Sequence, residues 1–295
     1  TKSKFLTNLI LEIKIFKSTI RFLSQKEINF IAKTLKSYNT FNLLSLNNID
    51  IDEETKNKLS QLKQNGFCNL GKIFSDRECS DFIEILRNKN CFNSQVPMQS
   101  DGKLLCFDPE KEIFSGSIFS YFSFSPDITL SFSPLKDFLN NKKLNFIINS
   151  YLNFDWTVYG CITWYNPTSN EEHYVHRIHR DYDDYKSLGV NIYWNKVDEN
   201  NGALSYVKRS HNVETPTDKK DLLIGEKGQA YLVDFFGLHS GTKISNDCRY
   251  ITTIRFGKYL NYATVTNGFS ISPTERQLEF LNKKFNQNGI KNIER

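Results

Sequence analysis

Apolar positions recur about every 3.6 residues across 4–37, where Phe5, Leu6, Leu9, Ile10, Ile13, Phe16, Ile20 and Leu23 alternate with Lys4, Lys14, Lys17 and Arg21. This spacing predicts an amphipathic helix with a basic face. Residues 40–56, rich in Asn, Asp and Ser, read as a linker, and a second region opens near Glu53. Beyond it, "LKQNGFCNLGKIFSDRECSDFIEILRN" reads as a helix, a short strand and another helix. Ser75 followed three residues later by Glu78 is a capping-box pattern for the second helix. Residues 91–130 scatter Pro97, Gly102, Pro109, Gly116 and Pro126 among Ser and Phe, which reads as a long loop region of the kind that forms lids. Residues 135–153 are again helical in period.

From residue 156 the period changes. "WTVYGCITWYNP", "GVNIYW", "ALSYV", "QAYLVDFF" and "RYITTIRFGKY" are short runs of β-branched and aromatic residues, punctuated by Gly, Asn, Asp and Pro. Such runs predict an antiparallel sandwich or barrel, with a jelly roll the natural arrangement. The expected fold is mainly β with flanking helices. It divides into a helical N-terminal extension over 1–50 and a domain over 51–295, whose β core spans about 155–260. No internal repeat is visible.

Composition supports a globular chain. Hydrophobic residues are 39% and charged residues 24% of 295, and 24 Phe and 14 Tyr favour strands over a helical bundle. The net charge of +5 is spread along the chain and mixed with acids, which argues against a nucleic-acid-binding face. The six cysteines form no CxxC pair, so a zinc ribbon has no support, and they read as reduced thiols of a cytoplasmic protein. No apolar run reaches the length needed to span a bilayer. The basic helix at 4–37 is compatible with packing on the body of the protein, with a partner, or with peripheral membrane contact.

The chemistry concentrates at His179-Arg180-Asp181. On an extended segment, side chains two apart share a face, so an imidazole and a carboxylate reach one point. His239, at the end of the predicted strand "QAYLVDFFGLH", supplies a third ligand across an antiparallel fold. Two histidines and one carboxylate on one face of an iron leave three positions open for a bidentate oxoacid and dioxygen. Arg249 opens the last predicted strand ten residues after His239, and its planar fork suits a ligand carboxylate. Arg255 has the same parity, so a second inward cation near the site would favour an anionic substrate. His176 has Ile178 two residues on and cannot replace the HxD pair. His211 reads as structural.

The second half resembles the phytanoyl-CoA dioxygenase family of iron and 2-oxoglutarate oxygenases. The resemblance rests on His179-x-Asp181, "NNGAL…SH" at 200–211, "HSG" at 239–241 and Arg249, and covers roughly 155–257. "NGFCNLGKIFSDREC" at 65–79 is also similar to the family's opening. Lys208-Arg209 stands where the family usually has Pro-Gly. The resemblance implies a double-stranded β-helix, the jelly-roll core shared with cupins. It implies Fe(II) on His179, Asp181 and His239, with Arg249 anchoring the distal carboxylate of 2-oxoglutarate and O2 as the second cosubstrate. It further points to Trp164 and Asn166 as cosubstrate neighbours, with core packing the alternative for Trp164. Trp194, which ends "GVNIYW", is a candidate for the cosubstrate pocket or for the core. Tyr185, in the loop leaving the metal motif, and Arg255 are candidates for substrate contact. Asp181 keeps the carboxylate that halogenases of this broad class lose.

The expected activity is oxidation of an unactivated C–H bond in a small, anionic molecule of lipid or natural-product metabolism, by hydroxylation, desaturation or oxidative ring closure. A protein-side-chain hydroxylase of the same fold and a non-catalytic ligand-binding β-helix are the alternatives. The substrate and the oligomeric state are not legible in the sequence.

Overall fold

The computed structural model describes residues 51–89, 91–93, 106–107, 122–124, 126–153, 156–169, 174–181, 187–212 and 220–257. The expected helix at 4–37, most of 91–130, and Tyr185 lie outside the described residues.

The helices begin and end where their capping groups stand. Helix α1 (Glu53–Asn65) starts at Asp52, whose carboxylate accepts a hydrogen bond from the Thr55 amide at 2.8 Å, and stops at Gly66 in the left-handed region. It therefore takes the end of what reads as linker in the sequence. Helix α2 (Asp76–Arg87) carries the expected reciprocal box between Ser75 and Glu78. Helices α3 (Pro126–Ser131), α4 (Ser133–Leu139) and α5 (Lys142–Leu152) follow, with Asn141 capping α5.

Eleven strands form among the described residues, in two antiparallel sheets. They are β1 (Phe67–Lys72), β2 (Cys91–Asn93), β3 (Cys106–Phe107), β4 (Phe122–Phe124), β5 (Thr157–Asn166), β6 (Leu188–Tyr193), β7 (Leu204–Val207), β8 (Lys220–Leu223), β9 (Gln229–Val233), β10 (His239–Gly241) and β11 (Arg249–Gly257). The large sheet runs β1-β9-β6-β11-β5-β4-β2-β3 and the small sheet β10-β7-β8. The region read as a long loop thus contributes β2, β3 and β4, which extend the large sheet beyond β5. Strands this short lack the alternation that would reveal them in a sequence.

The large sheet separates two cores, because alternate residues face opposite ways. On β11, Tyr250, Ile254 and Phe256 face the helices and join a cluster with Phe82, Leu86, Leu135, Ile148 and Trp156. The other face meets the small sheet, where Tyr193, Tyr231, Val233 and Ile251 pack with Ala203, Leu204, Tyr206 and Leu223. The Phe67 and Tyr206 rings meet edge to face across this gap at 5.3 Å. Polar groups behind the sheet are paired as burial requires. Thr163 Oγ1 lies 2.6 Å from both Thr129 and Thr252 hydroxyls, and the Trp194 indole N–H donates to Thr252 at 2.7 Å.

Burial pushes the Cys68 and Cys161 thiols up to about 12. Both are therefore expected to resist iodoacetamide in the native protein at about pH 8 and to react fully after denaturation. Peptide mass spectrometry checks this, and native labelling of either would contradict the packing described.

Candidate metal centre

The site begins with backbone geometry. His179 and His239 form an isolated antiparallel bridge, each amide donating to the other's carbonyl at 2.9 and 3.0 Å. The Asp181 amide donates to Phe235 O at 3.0 Å. The HxD segment is thereby laid along the edge of the small sheet, beside β10. His239 does not end a single strand "QAYLVDFFGLH" as expected. Strand β9 closes at Val233, a turn over 234–237 intervenes, and His239 opens β10 in the other sheet.

That turn is built by Asp234. Its buried carboxylate accepts from the Phe236 amide at 2.9 Å and from Tyr151 Oη at 2.6 Å, while its carbonyl accepts from Tyr206 Oη at 2.8 Å. The Tyr206 hydroxyl leaves no room for a side chain at 237, where an added Cβ would lie 1.8 Å from it. Arg180 points away from its neighbours and ties the segment down from outside. Its Nη1 donates to Ser210 O at 2.7 Å and to Phe236 O, and its guanidinium carbon lies 4.9 Å from the Phe236 ring centre.

The side chains converge within this frame. His179 Nδ1 lies 2.8 Å from Arg177 O, and His239 Nδ1 lies 2.8 Å from Gly237 O. A carbonyl only accepts, so each Nδ1 carries the proton and each Nε2 presents a lone pair. Asp181 Oδ1 lies 3.6 Å from His179 Nε2, and Oδ2 lies 3.8 Å from His239 Nε2. The three donor atoms fall within 4.8 Å of one another. Burial pushes the His239 imidazole down to about 4, so it is neutral at neutral pH. Burial works to raise the Asp181 carboxyl, but the charge and hydrogen bond of the Arg255 guanidinium outweigh it and hold it below the usual carboxylate range.

These residues fit a metal ion. Cis donors about 2.1 Å from one ion stand about 3 Å apart, so small side-chain rotations close the set. Two imidazoles and a single carboxylate suit a first-row divalent metal with open coordination positions.

No family profile matches the sequence, and no curated protein does. Among solved structures the fold is similar to the non-heme alpha ketoglutarate dependent epimerase SnoN from nogalamycin biosynthesis, at a TM-score of 0.50 and 10% identity over 69% of this chain and 82% of that one. The core is a double-stranded β-helix. EctD from S. alaskensis with bound Fe (TM-score 0.49, 13% identity, 72% of this chain and 78% of that one) and HygX from Streptomyces hygroscopicus with nickel and 2-oxoglutarate bound (0.47, 14%, 70% and 87%) are also similar. At these identities the likeness is one of fold.

Other residues singled out in the sequence divide by sheet face. Arg249 pairs with Asn166 and Ile251 with Trp164 across β11 and β5, so Arg249, Trp164 and Asn166 share the interior face. Arg249 is buried there, its Nε and Nη2 donating to Asn166 Oδ1 at 3.1 and 2.9 Å and its Nη1 donating to Gly202 O. Trp194 does not join them. It lies on the helix-covered face, fully buried and stacked on Phe74 at 5.0 Å, because the aromatic cluster behind the sheet takes its ring and Thr252 takes its N–H. Arg255 shares the interior face, but Asp181 is its partner, at 2.8 Å. His211 is held in its loop by Lys63 O and Asn212.

Sequence reasoning passed over Arg180, Asp234 and Phe235. The run Asp234-Phe235-Phe236-Gly237 before His239 was the available signal, because a Gly after two aromatics marks a turn of close approach.

Gly237→Ala is expected to lower unfolding free energy by about 2 kcal/mol, through displacement of the Tyr206 hydroxyl. Urea denaturation of the metal-free protein measures this, and an unchanged midpoint would show that the turn adjusts freely.

Proposed function

We propose that the protein is an Fe(II)- and 2-oxoglutarate-dependent oxygenase acting on a small molecule. The observation that carries the reading is the convergence of His179 Nε2, His239 Nε2 and the Asp181 carboxylate, with both imidazoles locked in the ligating tautomer. The chemistry such a centre supplies is oxidation of an unactivated C–H bond by dioxygen, with 2-oxoglutarate leaving as succinate and CO2. Likeness of the HxD, "NNGAL…SH", "HSG" and Arg249 motifs to phytanoyl-CoA dioxygenases supports the same reading.

The chain's own residues have separable tasks. His179, Asp181 and His239 hold the ion from one side and leave the opposite side open. Arg249 receives the distal carboxylate of 2-oxoglutarate, with Asn166 and the Gly202 carbonyl fixing the plane of its guanidinium. Trp164, half-buried on the same face, forms part of the wall that keeps water from the chelate. The C–H oxidation ends in hydroxylation, desaturation or ring closure according to the substrate's fit. Arg255 is committed to Asp181, so its charge no longer argues for an anionic substrate.

Anaerobic titration with Fe(II) and 2-oxoglutarate tests the proposal. A visible charge-transfer band at one iron per chain is expected, absent in His239→Ala and reduced in Arg249→Ala at the same 2-oxoglutarate concentration. A folded wild-type protein that takes up neither iron nor 2-oxoglutarate would reassign the chain to ligand binding without catalysis.

A further inference from the structure

Arg255 stands on the interior face of β11 with a glycine opposite it on each neighbouring strand, Gly160 on β5 and Gly189 on β6. Both glycines make room. A Cβ at 189 would fall 2.2 Å from the Phe235 ring, and one at 160 would press on the Arg255 stem at 3.3 Å. The guanidinium carbon lies 3.8 Å from the centre of the Phe235 ring, and Nη2 donates to Asp181 Oδ2 at 2.8 Å. Phe235 in turn meets the His239 ring edge-on at 5.2 Å, and its carbonyl receives the Asp181 amide. One arginine therefore touches the carboxylate ligand directly and braces a histidine ligand through a single ring.

We propose that Arg255 is a positioning residue of the metal centre, holding Asp181 by Oδ2 so that Oδ1 faces the ion. This rests on the reading of the site as an iron and 2-oxoglutarate centre. A carboxylate free to rotate could offer both oxygens to the metal and occupy a coordination position that a bidentate oxoacid needs. The Arg255 bond removes that freedom. It also offsets the carboxylate's charge, so the ion keeps more of its own attraction for a dianionic chelator. The guanidinium sits on an aromatic face with its side chain only 14% exposed, where such a pair is weakly screened. An arginine engaged elsewhere could not do this, and a lysine would offer one point charge without the planar seat on Phe235.

The test compares wild type, Arg255→Met, Arg255→Lys and Phe235→Leu by anaerobic Co(II) titration. It reads the dissociation constant and visible spectrum, then 2-oxoglutarate affinity at saturating Co(II). Arg255→Met is expected to weaken Co(II) binding about tenfold or more, the usual effect of losing a partner that orients a ligand. Its 2-oxoglutarate affinity is expected to fall further still. Arg255→Lys should recover part of both losses, and Phe235→Leu, which keeps every charge, should weaken Co(II) binding by a smaller factor. Should Arg255→Met not fold, the Lys and Leu variants carry the comparison. Variants that melt earlier yet bind Co(II) and 2-oxoglutarate as wild type does would overturn the proposal, since Arg255 would then serve the fold alone. Wild type binding no Co(II) would instead defeat the reading of the site itself.

Discussion

Two backbone hydrogen bonds between His179 and His239 tie the whole centre together. A bridge of this kind fixes two residues opposite each other with their side chains on one side, here with ring centres 4.4 Å apart. Asp181, two residues on and tied by its amide to Phe235 O, then falls on the same side. The pairing also joins segments that are 60 residues apart in sequence, so the centre assembles only once these distant segments have met. Anything that positions β10, including the Asp234 turn, the Tyr206 hydroxyl behind Gly237 and the Arg180 clamp, acts on the metal site through this bridge.

Much of this architecture is written locally in the sequence. The capping box at Ser75, the helical period of 135–153 and the β-branched runs after 156 each specify their element with nearby residues, and the structure has them. The parity of β11 is equally legible, since Arg249 and Arg255 share a face in any straight strand. What was not legible depends on neighbours distant in sequence. Trp194 shares parity with Leu188, Val190 and Ile192, but both faces of this strand are buried, and only the distant helices mark which face lies away from the metal site. Strands β2 and β3 are two or three residues long and pair on edges supplied from elsewhere in the chain, β4 for β2 and β2 for β3. The break between Val233 and His239 is set by Tyr151 and Tyr206 reaching the Asp234 turn from other parts of the chain, and no local pattern contains them.

The interior face carries an unusual load of charge for a protein core. Arg249 and Arg255 lie six residues apart on one strand, and each is met by a group that only accepts or carries the opposite sign, Asn166 Oδ1 and the Gly202 carbonyl for one, Asp181 for the other. Placing cations this way is costly unless their partners are held as rigidly as they are. The neighbouring strands supply that rigidity through their register, which sets Asn166 opposite Arg249 and Gly160 opposite Arg255. On the same face Thr253 donates to Asn191 at 2.6 Å, and Tyr193, Tyr231, Val233 and Ile251 pack beside these polar contacts.

The carbonyls of Arg177 and Gly237 give the two imidazoles their orientation before any ion arrives. Three side chains that would otherwise sample many rotamers are already ordered when the chain folds. Coordination then proceeds with little further loss of conformational entropy, and its free energy is left to the bonds themselves. A centre so built should exchange one divalent ion for another without rearranging the protein. Its discrimination among metals would then reside in what occupies the open positions and not in the cage that holds the ion.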